Sequence, residues 1–185
     1  NTLTTPYRTR TGAMMKSVAD IDAGRLVLRP IGLKTARALL EGRVPAGLRV
    51  AADYPSQFSL EVMDLIAGLR AADVEQFRSF FLIRKTDAAV IGEIGSQLDM
   101  ATKSTQVGYS VVQSCWGQGY ATEALRALLA TLLTRADVHR VTAETMADHR
   151  ASRRVMEKAG MRHCGHRTTE DNGATVELVL YELVR

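Results

Sequence analysis

The sequence predicts a single-domain α/β fold, with helices packed against one mixed central sheet. Two segments in the first third have apolar residues at helical spacing, and the middle contains consecutive strand-like segments. The remainder alternates strand, helix, strand, helix and strand, an order typical of α/β or α+β domains. A length of 185 residues and a hydrophobic share of 46% suit one domain with an ordinary buried core.

The N-terminal part is expected to contribute one strand and two helices. Residues 25–30 alternate polar and apolar side chains and stop at a proline, as a strand does at a sheet edge. Apolar residues recur at helical spacing over 33–42 and again over 60–66. Residues 1–15 have little apolar periodicity, so we expect a flexible leader or added tail, followed by one domain over 16–185.

The rest of the chain alternates two kinds of pattern. The clearest helix is predicted over 120–135, and a second helix from about 150 to 159 should end at Gly160 in the left-handed conformation. Five segments have strand patterns: 80–84, 88–95, 106–112, 140–145 and 176–183.

Net charge and composition limit the classes of binding partner that we expect. The net charge of +4 favours anions, but no basic run is interleaved with aromatic side chains as in a nucleic-acid surface. We therefore expect a polyanionic small molecule and no nucleic acid. No segment approaches the roughly 20 apolar residues of a membrane span, and none near the N-terminus resembles a secretory signal. The expected location is the cytoplasm, away from membranes.

Cysteine and histidine usage predicts no metal site. Cys115 and Cys164 do not form a disulfide framework, and their pairing stays open. The four histidines lack regular ligand spacing with these cysteines.

The chemistry is expected at the turn between the strand ending at Val112 and the helix opening near Tyr120. Gly117 and Gly119 allow a tight curl that brings backbone N–H groups close to a ligand. The helix directs its unpaired amides and positive dipole end at the same place, which favours a phosphate or pyrophosphate. The turn lacks the Gly-Lys-Ser/Thr of nucleotide triphosphatases and the third small residue of dinucleotide folds. A nucleotide ligand is the weaker alternative.

The turn resembles the pyrophosphate loop of the GNAT superfamily of acetyl-CoA-dependent acyltransferases, Arg/Gln-x-x-Gly-x-Gly/Ala. Residues Trp116–Ala121 align with this pattern, and Trp116 stands in place of its Arg or Gln. The longer string Trp116–Ala124 is similar to the branch related to ribosomal-protein N-terminal (alanine/serine) acetyltransferases, where an aromatic residue is common here. A second block, Ala143–Met161, resembles the family pattern Asn-x-x-Ser-x-Arg-Val-x-Glu-Lys-x-Gly-Phe, with His149 replacing Asn. The resemblance covers about Arg25 to Leu183.

The resemblance implies a GNAT-like fold whose central sheet is splayed between the strands at about 106–112 and 140–145. Acetyl-CoA would be the cosubstrate, and its pantetheine arm would pair with backbone along the first strand. A backbone N–H near Val112 would meet the oxyanion. The cofactor-binding residues implied are Val111, Val112, Trp116, Gly117, Gln118, Gly119, Tyr120, Ala121, Thr122, His149 and Ser152.

The resemblance also implies catalytic and acceptor-binding residues. Ser152 occupies the family position near the thioester sulfur, where it would protonate the departing thiolate; a serine bonding local backbone explains it equally well. Glu93 is the preferred base that deprotonates the amine, against a solvated strand glutamate. Tyr54 and Phe58 fall in the region that lines the acceptor pocket in relatives, or they serve packing alone.

The resulting functional prediction is an N-acetyltransferase acting by direct attack in a ternary complex. The acceptor would be a primary amine, either a protein or peptide N-terminus or a small molecule. The alternative is a non-catalytic acyl-CoA-binding or regulatory module, because His149, Met156 and Gln106 depart from common catalytic patterns. A homodimer is compatible with the family, and the oligomeric state stays open.

Overall fold

The computed structural model describes residues 18–70, 76–171 and 173–185. Its strands are β1 (Ile21–Ala23), β2 (Leu26–Pro30), β3 (Arg49–Val50), β4 (Phe77–Arg84), β5 (Ala89–Asp99), β6 (Ser104–Val111), β7 (Arg140–Met146), β8 (Arg162–Asp171) and β9 (Ala174–Val184). Its α-helices are α1 (Leu33–Leu40), α2 (Gln57–Gly68), α3 (Tyr120–Leu133) and α4 (Arg150–Lys158).

The strands form one mixed sheet in the order β1-β2-β4-β5-β6-β7-β9-β8, and β3 pairs with β5. Neighbours along this order are antiparallel except at one place, where β6 and β7 run parallel. That parallel pairing joins only Ser104–Gln106 to Arg140–Thr142. The two halves of the sheet are therefore held together at one end of β6 and separate beyond it.

The helices bury apolar side chains against the sheet and against each other. Six residues of α3 are buried, at the three-and-four spacing of one helix face: Tyr120, Ala124, Leu125, Leu128, Leu129 and Leu132. Helix α3 contacts β1, β2, β6 and β7, so it bridges the two halves of the sheet. Helix α2 begins after Ser56, whose hydroxyl accepts the Ser59 N–H at 3.1 Å as an N-cap.

The predicted fold class is confirmed, but three strands, β1, β3 and β8, were not predicted and several boundaries moved. Helix α2 begins at Gln57 instead of 60, and β4, β5 and β6 each extend beyond the predicted segments. The sequence analysis assigned no strand to β8, an edge strand with mostly exposed polar residues and no apolar alternation. Gly160 has the expected left-handed φ, +94°, after α4.

The proposed leader, 1–15, lies outside the described residues. None of the helices in the described ranges is both long enough and apolar enough to cross a bilayer.

Candidate active site

A cavity of about 860 Å³ opens where β6 and β7 separate. One wall is the second half of β6 and another is β7 around Glu144, with α4 alongside. The glycine turn and the first residues of α3 close one end. The expected splay between the two strands is therefore present, and it is wide enough for an extended ligand.

The glycine turn has the shape that anion binding needs. After a short 3₁₀ turn over Gln113–Cys115, Gly117 and Gly119 adopt φ values of +72° and +84°. These left-handed conformations favour glycine and turn the chain sharply into α3. Within the described residues no side chain caps the first turn of α3, so its N–H groups stay available to a ligand. The turn and the start of α3 line the cavity.

Arg25, in the turn between β1 and β2, holds the glycine turn in place. Its guanidinium donates to the Gln118 carbonyl at 2.6 Å and to Glu123 Oε1 at 2.8 Å, and it lies 4.5 Å from the centre of the Tyr120 ring. Arg25 thus fixes both the turn and the first turn of α3. The sequence pattern predicts Arg25 only as the first residue of a strand and gives no sign of this role.

Asp53 stabilises the 3₁₀ turn that precedes the glycine turn. Its carboxylate accepts the Ser114 N–H at 2.9 Å and the Ser114 hydroxyl at 2.8 Å. These bonds, the backbone one first, hold the pKa of Asp53 below its usual range. This contact was also missed from sequence.

Trp116 lies across the strand that precedes the turn. Its indole N–H donates to the Val111 carbonyl at 2.6 Å, while 65% of the residue is exposed. Val111 and Trp116 both line the cavity, whereas Val112 is buried. The Val112 N–H donates to Ile91 on β5 at 2.9 Å, so this amide is not free to meet an oxyanion, contrary to the expectation for it.

Ser152 is paired with Tyr109 across the cavity. The two hydroxyl oxygens are 3.0 Å apart, and Tyr109 Oη also donates to the Ser152 carbonyl at 3.1 Å. Burial raises the pKa of Tyr109, although the Ser152 hydrogen bond opposes this shift. Both residues line the cavity, whereas Met156 is buried. Tyr109 is a candidate proton donor that the sequence analysis did not identify.

Glu93 lies just behind the cavity wall and is only 2% exposed. Its Oε1 accepts hydrogen bonds from the hydroxyls of Ser59, at 3.0 Å, and Ser110. In the described part of the chain, Glu93 Oε2 and the Tyr54 hydroxyl have no partner in hydrogen-bond geometry, although the two groups are close. Burial raises the pKa of Glu93, and the hydroxyl groups around it only partly offset this. Ser110 itself lines the cavity, so it connects Glu93 to the site.

Of the remaining predicted site residues, some line the cavity and others do not. Phe58 lines the cavity and is 48% exposed, whereas Tyr54 is buried against Phe81 and is absent from the cavity wall. His149 lines the cavity, and its Nδ1 lies 3.2 Å from Thr145 Oγ1. Thr122 also lines it, while Gln118 contributes its carbonyl to Arg25 and its side-chain amide to Ser114.

Glu144, the other strand glutamate, also lines the cavity. Both of its carboxylate oxygens accept from Arg167, at 2.6 and 2.9 Å. The Glu144 carboxylate is therefore already paired with a cation, whereas the hydrogen bonds to Glu93 come from hydroxyl groups.

A mixed sheet that separates between two parallel strands, with a glycine turn and a helix N-terminus at one end of the gap, is the arrangement expected of an acetyl-CoA-dependent acyltransferase. Residues 25–162 match the model of the acetyltransferase (GNAT) domain family. The chain belongs to this family and is an acetyl-CoA-dependent acyltransferase.

Several solved structures share this fold. A GNAT-family acetyltransferase from Bacillus anthracis has a TM-score of 0.67 and 20% identity, covering 90% of this chain and 98% of that one. RimL, a ribosomal L7/L12 alpha-N-protein acetyltransferase in complex with coenzyme A, has a TM-score of 0.68 and 19% identity over 90% and 98%. Mycobacterium smegmatis RimJ, in complex with a CoA disulfide, has a TM-score of 0.66 and 22% identity over 90% and 86%. A comparison with curated protein sequences finds no match.

Proposed function

We propose that the protein transfers the acetyl group of acetyl-CoA to a primary amine by direct attack in a ternary complex. The observation that carries this proposal is the cavity between β6 and β7, which extends from the glycine turn to the hydroxyls of Ser110, Tyr109 and Ser152. It offers an anion site at one end and groups that exchange protons further along. The similar folds of ribosomal-protein acetyltransferases favour a protein or peptide N-terminus as acceptor, with a small-molecule amine as the alternative.

The donor end uses backbone groups more than side chains. N–H groups from Gly117 to Thr122 would hold the pyrophosphate, with Arg25 and Asp53 keeping the turn in shape. The pantetheine arm would run along Val111, beside Trp116, His149 and Thr145. This arrangement brings the thioester toward Tyr109 and Ser152.

The amine must be neutral when it attacks, so the site needs a route for its proton. Ser110 faces the cavity and donates to Glu93 Oε1. In our proposal the amine passes its proton to Ser110 Oγ while the Ser110 proton moves to Glu93. Because burial raises the pKa of Glu93, its carboxylate is a stronger base than an exposed one. Ser110 is then the group in contact with substrate, and Glu93 accepts the proton through it.

The departing thiolate needs a proton in return. The paired hydroxyls of Tyr109, on β6, and Ser152, on α4, would supply one. The raised pKa of Tyr109 keeps it protonated at neutral pH. Ser152 would either donate directly, with Tyr109 replacing its proton, or orient Tyr109 as the donor.

The test is release of free thiol from acetyl-CoA with a panel of amines. Peptides with N-terminal alanine or serine, a polyamine, an aminoglycoside and free amino acids would be compared with the same peptides acetylated at the N-terminus. We expect acceptor-dependent thiol release and an acetylated product by mass spectrometry. Tight acetyl-CoA binding with no release across the panel would support the acyl-CoA-binding module instead.

A further inference from the structure

Three cationic side chains form a stripe along α4. Arg150, Arg154 and Lys158 are spaced four residues apart, so they lie on one face of the helix. All three are exposed and all three line the cavity. We call these three residues the cation stripe.

The cation stripe has no counter-charge in the structure. Within the described ranges, the side chains of Arg150, Arg154 and Lys158 form no salt bridge and no hydrogen bond. By contrast, Arg153 on the same helix donates to the Ala147 carbonyl at 3.0 Å. Glu144 is the acidic residue on the described cavity wall, and Arg167 already neutralises it. The cavity therefore carries an uncompensated positive charge on its α4 side.

This arrangement is unfavourable for α4 alone. Like charges four residues apart on a helix repel each other. Arg150 also lies in the first turn, where the positive end of the helix dipole disfavours a cation, and the described residues place no acid there. An anion bound beside the stripe would relieve both effects.

The position of α4 indicates where along the cavity this anion lies. Ser152, near its start, contacts Tyr109 on β6. At its other end, the Lys158 carbonyl accepts from the Arg126 side chain of α3 at 2.5 and 3.1 Å. The stripe thus runs from the hydroxyl pair toward the helix that begins at the glycine turn. Arg154 and Lys158 lie on the phosphate-binding side of the cavity.

We propose that Arg154 and Lys158 bind the 3′-phosphate of coenzyme A, with Arg150 adding to the local positive potential. This inference rests on the proposed donor and deepens it. The turn Trp116–Ala121 contains no cationic side chain and offers backbone amides suited to the pyrophosphate. A terminal phosphate monoester carries a second, separate charge that Arg and Lys side chains recognise well. The cation stripe supplies that recognition and lets the protein distinguish coenzyme A from its 3′-dephospho form.

The experiment compares the affinities of coenzyme A and 3′-dephospho-coenzyme A by calorimetry. The proteins are the unmodified chain, Arg154→Gln, Lys158→Gln and the double variant. Lys34→Gln on α1 is the control, because Lys34 is an exposed helix cation away from the cavity wall. We expect the unmodified protein to prefer coenzyme A by about tenfold. The double variant should lose this preference with an unchanged dissociation constant for the dephospho form, and Lys34→Gln should keep it.

The other outcomes separate the two proposals. Equal affinities of the unmodified protein for both compounds would overturn the 3′-phosphate assignment alone. Equal weakening of both compounds in the double variant would also overturn it, because the stripe would then act on a shared part of the ligand. Failure to bind either compound would overturn the proposed donor, and the assignment with it.

Discussion

Glu93 is a buried carboxyl that reaches the cavity through one hydroxyl group. Its raised pKa means that the folded protein favours the protonated form. The stability contributed by Glu93 is therefore fully present below the ordinary carboxyl pKa and is lost as pH rises through the raised value. Its action as a base has the opposite dependence, because only the ionised form accepts a proton. In the proposed mechanism, catalysis would therefore use the ionised form of Glu93, which is the form that burial disfavours.

Replacement of Glu93 by glutamine should separate these two effects. A glutamine oxygen can still accept from Ser59 and Ser110 but cannot take a proton, so kcat should fall by about 100-fold or more. Its pH profile should lose the rise that reflects Glu93 ionisation, and its thermal stability relative to the unmodified protein should improve as pH rises. Steady-state kinetics and thermal unfolding across pH would measure both.

The exposed Glu61 on α2 provides the matched control. Glu61→Gln should leave the pH profile unchanged. A Glu93→Gln enzyme with the original kcat and profile would remove Glu93 from the mechanism.

Tyr109 and Ser152 act as one unit if they share a single proton-donor role. Tyr109→Phe and Ser152→Ala should each lower kcat by about 10- to 100-fold while the calorimetric affinity for acetyl-CoA changes little. The double variant should be no slower than the slower single variant, because either change breaks the same pair.

Tyr181→Phe is the control for the Tyr109 substitution. It also removes a tyrosine hydroxyl, which donates to Glu157 at 2.9 Å away from the cavity wall. This change should reduce stability by about 1 kcal/mol and leave kcat unchanged. Independent, multiplicative losses in the double variant would contradict a shared role for Tyr109 and Ser152.

At the scale of elements, the backbone of β6 leaves no room for a side chain at Gly92 of β5. A Cβ atom on Gly92 would lie 2.1 Å from the Ser110 carbonyl oxygen and 2.9 Å from the Val111 Cα. Both neighbours are backbone atoms, which cannot rotate away. Gly92 therefore sets the position of the β6 segment that would carry the relay and the pantetheine arm.

Gly92→Ala should displace this segment of β6. We expect a stability loss of about 1–3 kcal/mol from overpacking, together with at least about tenfold weaker acetyl-CoA binding. Thermal unfolding and calorimetry would measure the two losses. Gly165→Ala on β8, where an added Cβ meets nothing within 4 Å, should leave acetyl-CoA affinity unchanged. Unaltered affinity in Gly92→Ala would show that β6 tolerates the shift.

Elements were predictable where burial imposed a regular pattern. The apolar stripe of α3 and the glycine that ends α4 follow directly from local sequence. Strand β8 was missed because its edge position leaves it without an apolar alternation. Strand β8 pairs with β9 through backbone hydrogen bonds, and these leave no pattern in the side chains.

The site was predictable only where neighbouring residues act together. The glycine turn is local, and the structure places it on the cavity wall, where its sequence predicts an anion site. Arg25 contacts Glu123 and Gln118, which are 98 and 93 positions further along the sequence. Tyr109 and Ser152 are 43 positions apart. No local periodicity reports such contacts, because the fold alone brings these side chains together. The charge state of Glu93 also depends on burial that its polar sequence context did not indicate.

For the whole molecule, the two halves of the sheet are joined by a short strand pairing, that of β6 with β7. Three parallel pairs join β6 to β7, and α3 bridges them. A donor lying between the strands would contact both halves at once. Binding therefore stabilises the molecule as well as preparing the reaction.

Acetyl-CoA should raise the thermal unfolding temperature accordingly. At 100 times the dissociation constant, linkage gives about 2.7 kcal/mol, or about 5–11 °C for a chain of this size. Gly119→Val should abolish the shift, since a β-branched residue is strained at φ +84° in the anion-binding turn. Gly42→Val introduces comparable strain at φ +71° away from the cavity wall, so it should lower the starting temperature but keep the shift. A full shift in Gly119→Val would place the donor elsewhere.

The contact between Trp116 and the Val111 carbonyl gives the molecule an optical signal of its own. Trp116 is the single tryptophan of the chain, and its indole bonds a carbonyl on the proposed path of the pantetheine arm. An arriving amide would compete for that carbonyl and change the surroundings of the indole. We expect saturable changes in intrinsic fluorescence on titration with acetyl-CoA, at the calorimetric affinity. Trp116→Phe should lose the tryptophan fluorescence signal yet still bind acetyl-CoA. Unchanged Trp116 fluorescence on saturation of the unmodified protein would exclude this competition. Donor occupancy could then be followed in real time without a label.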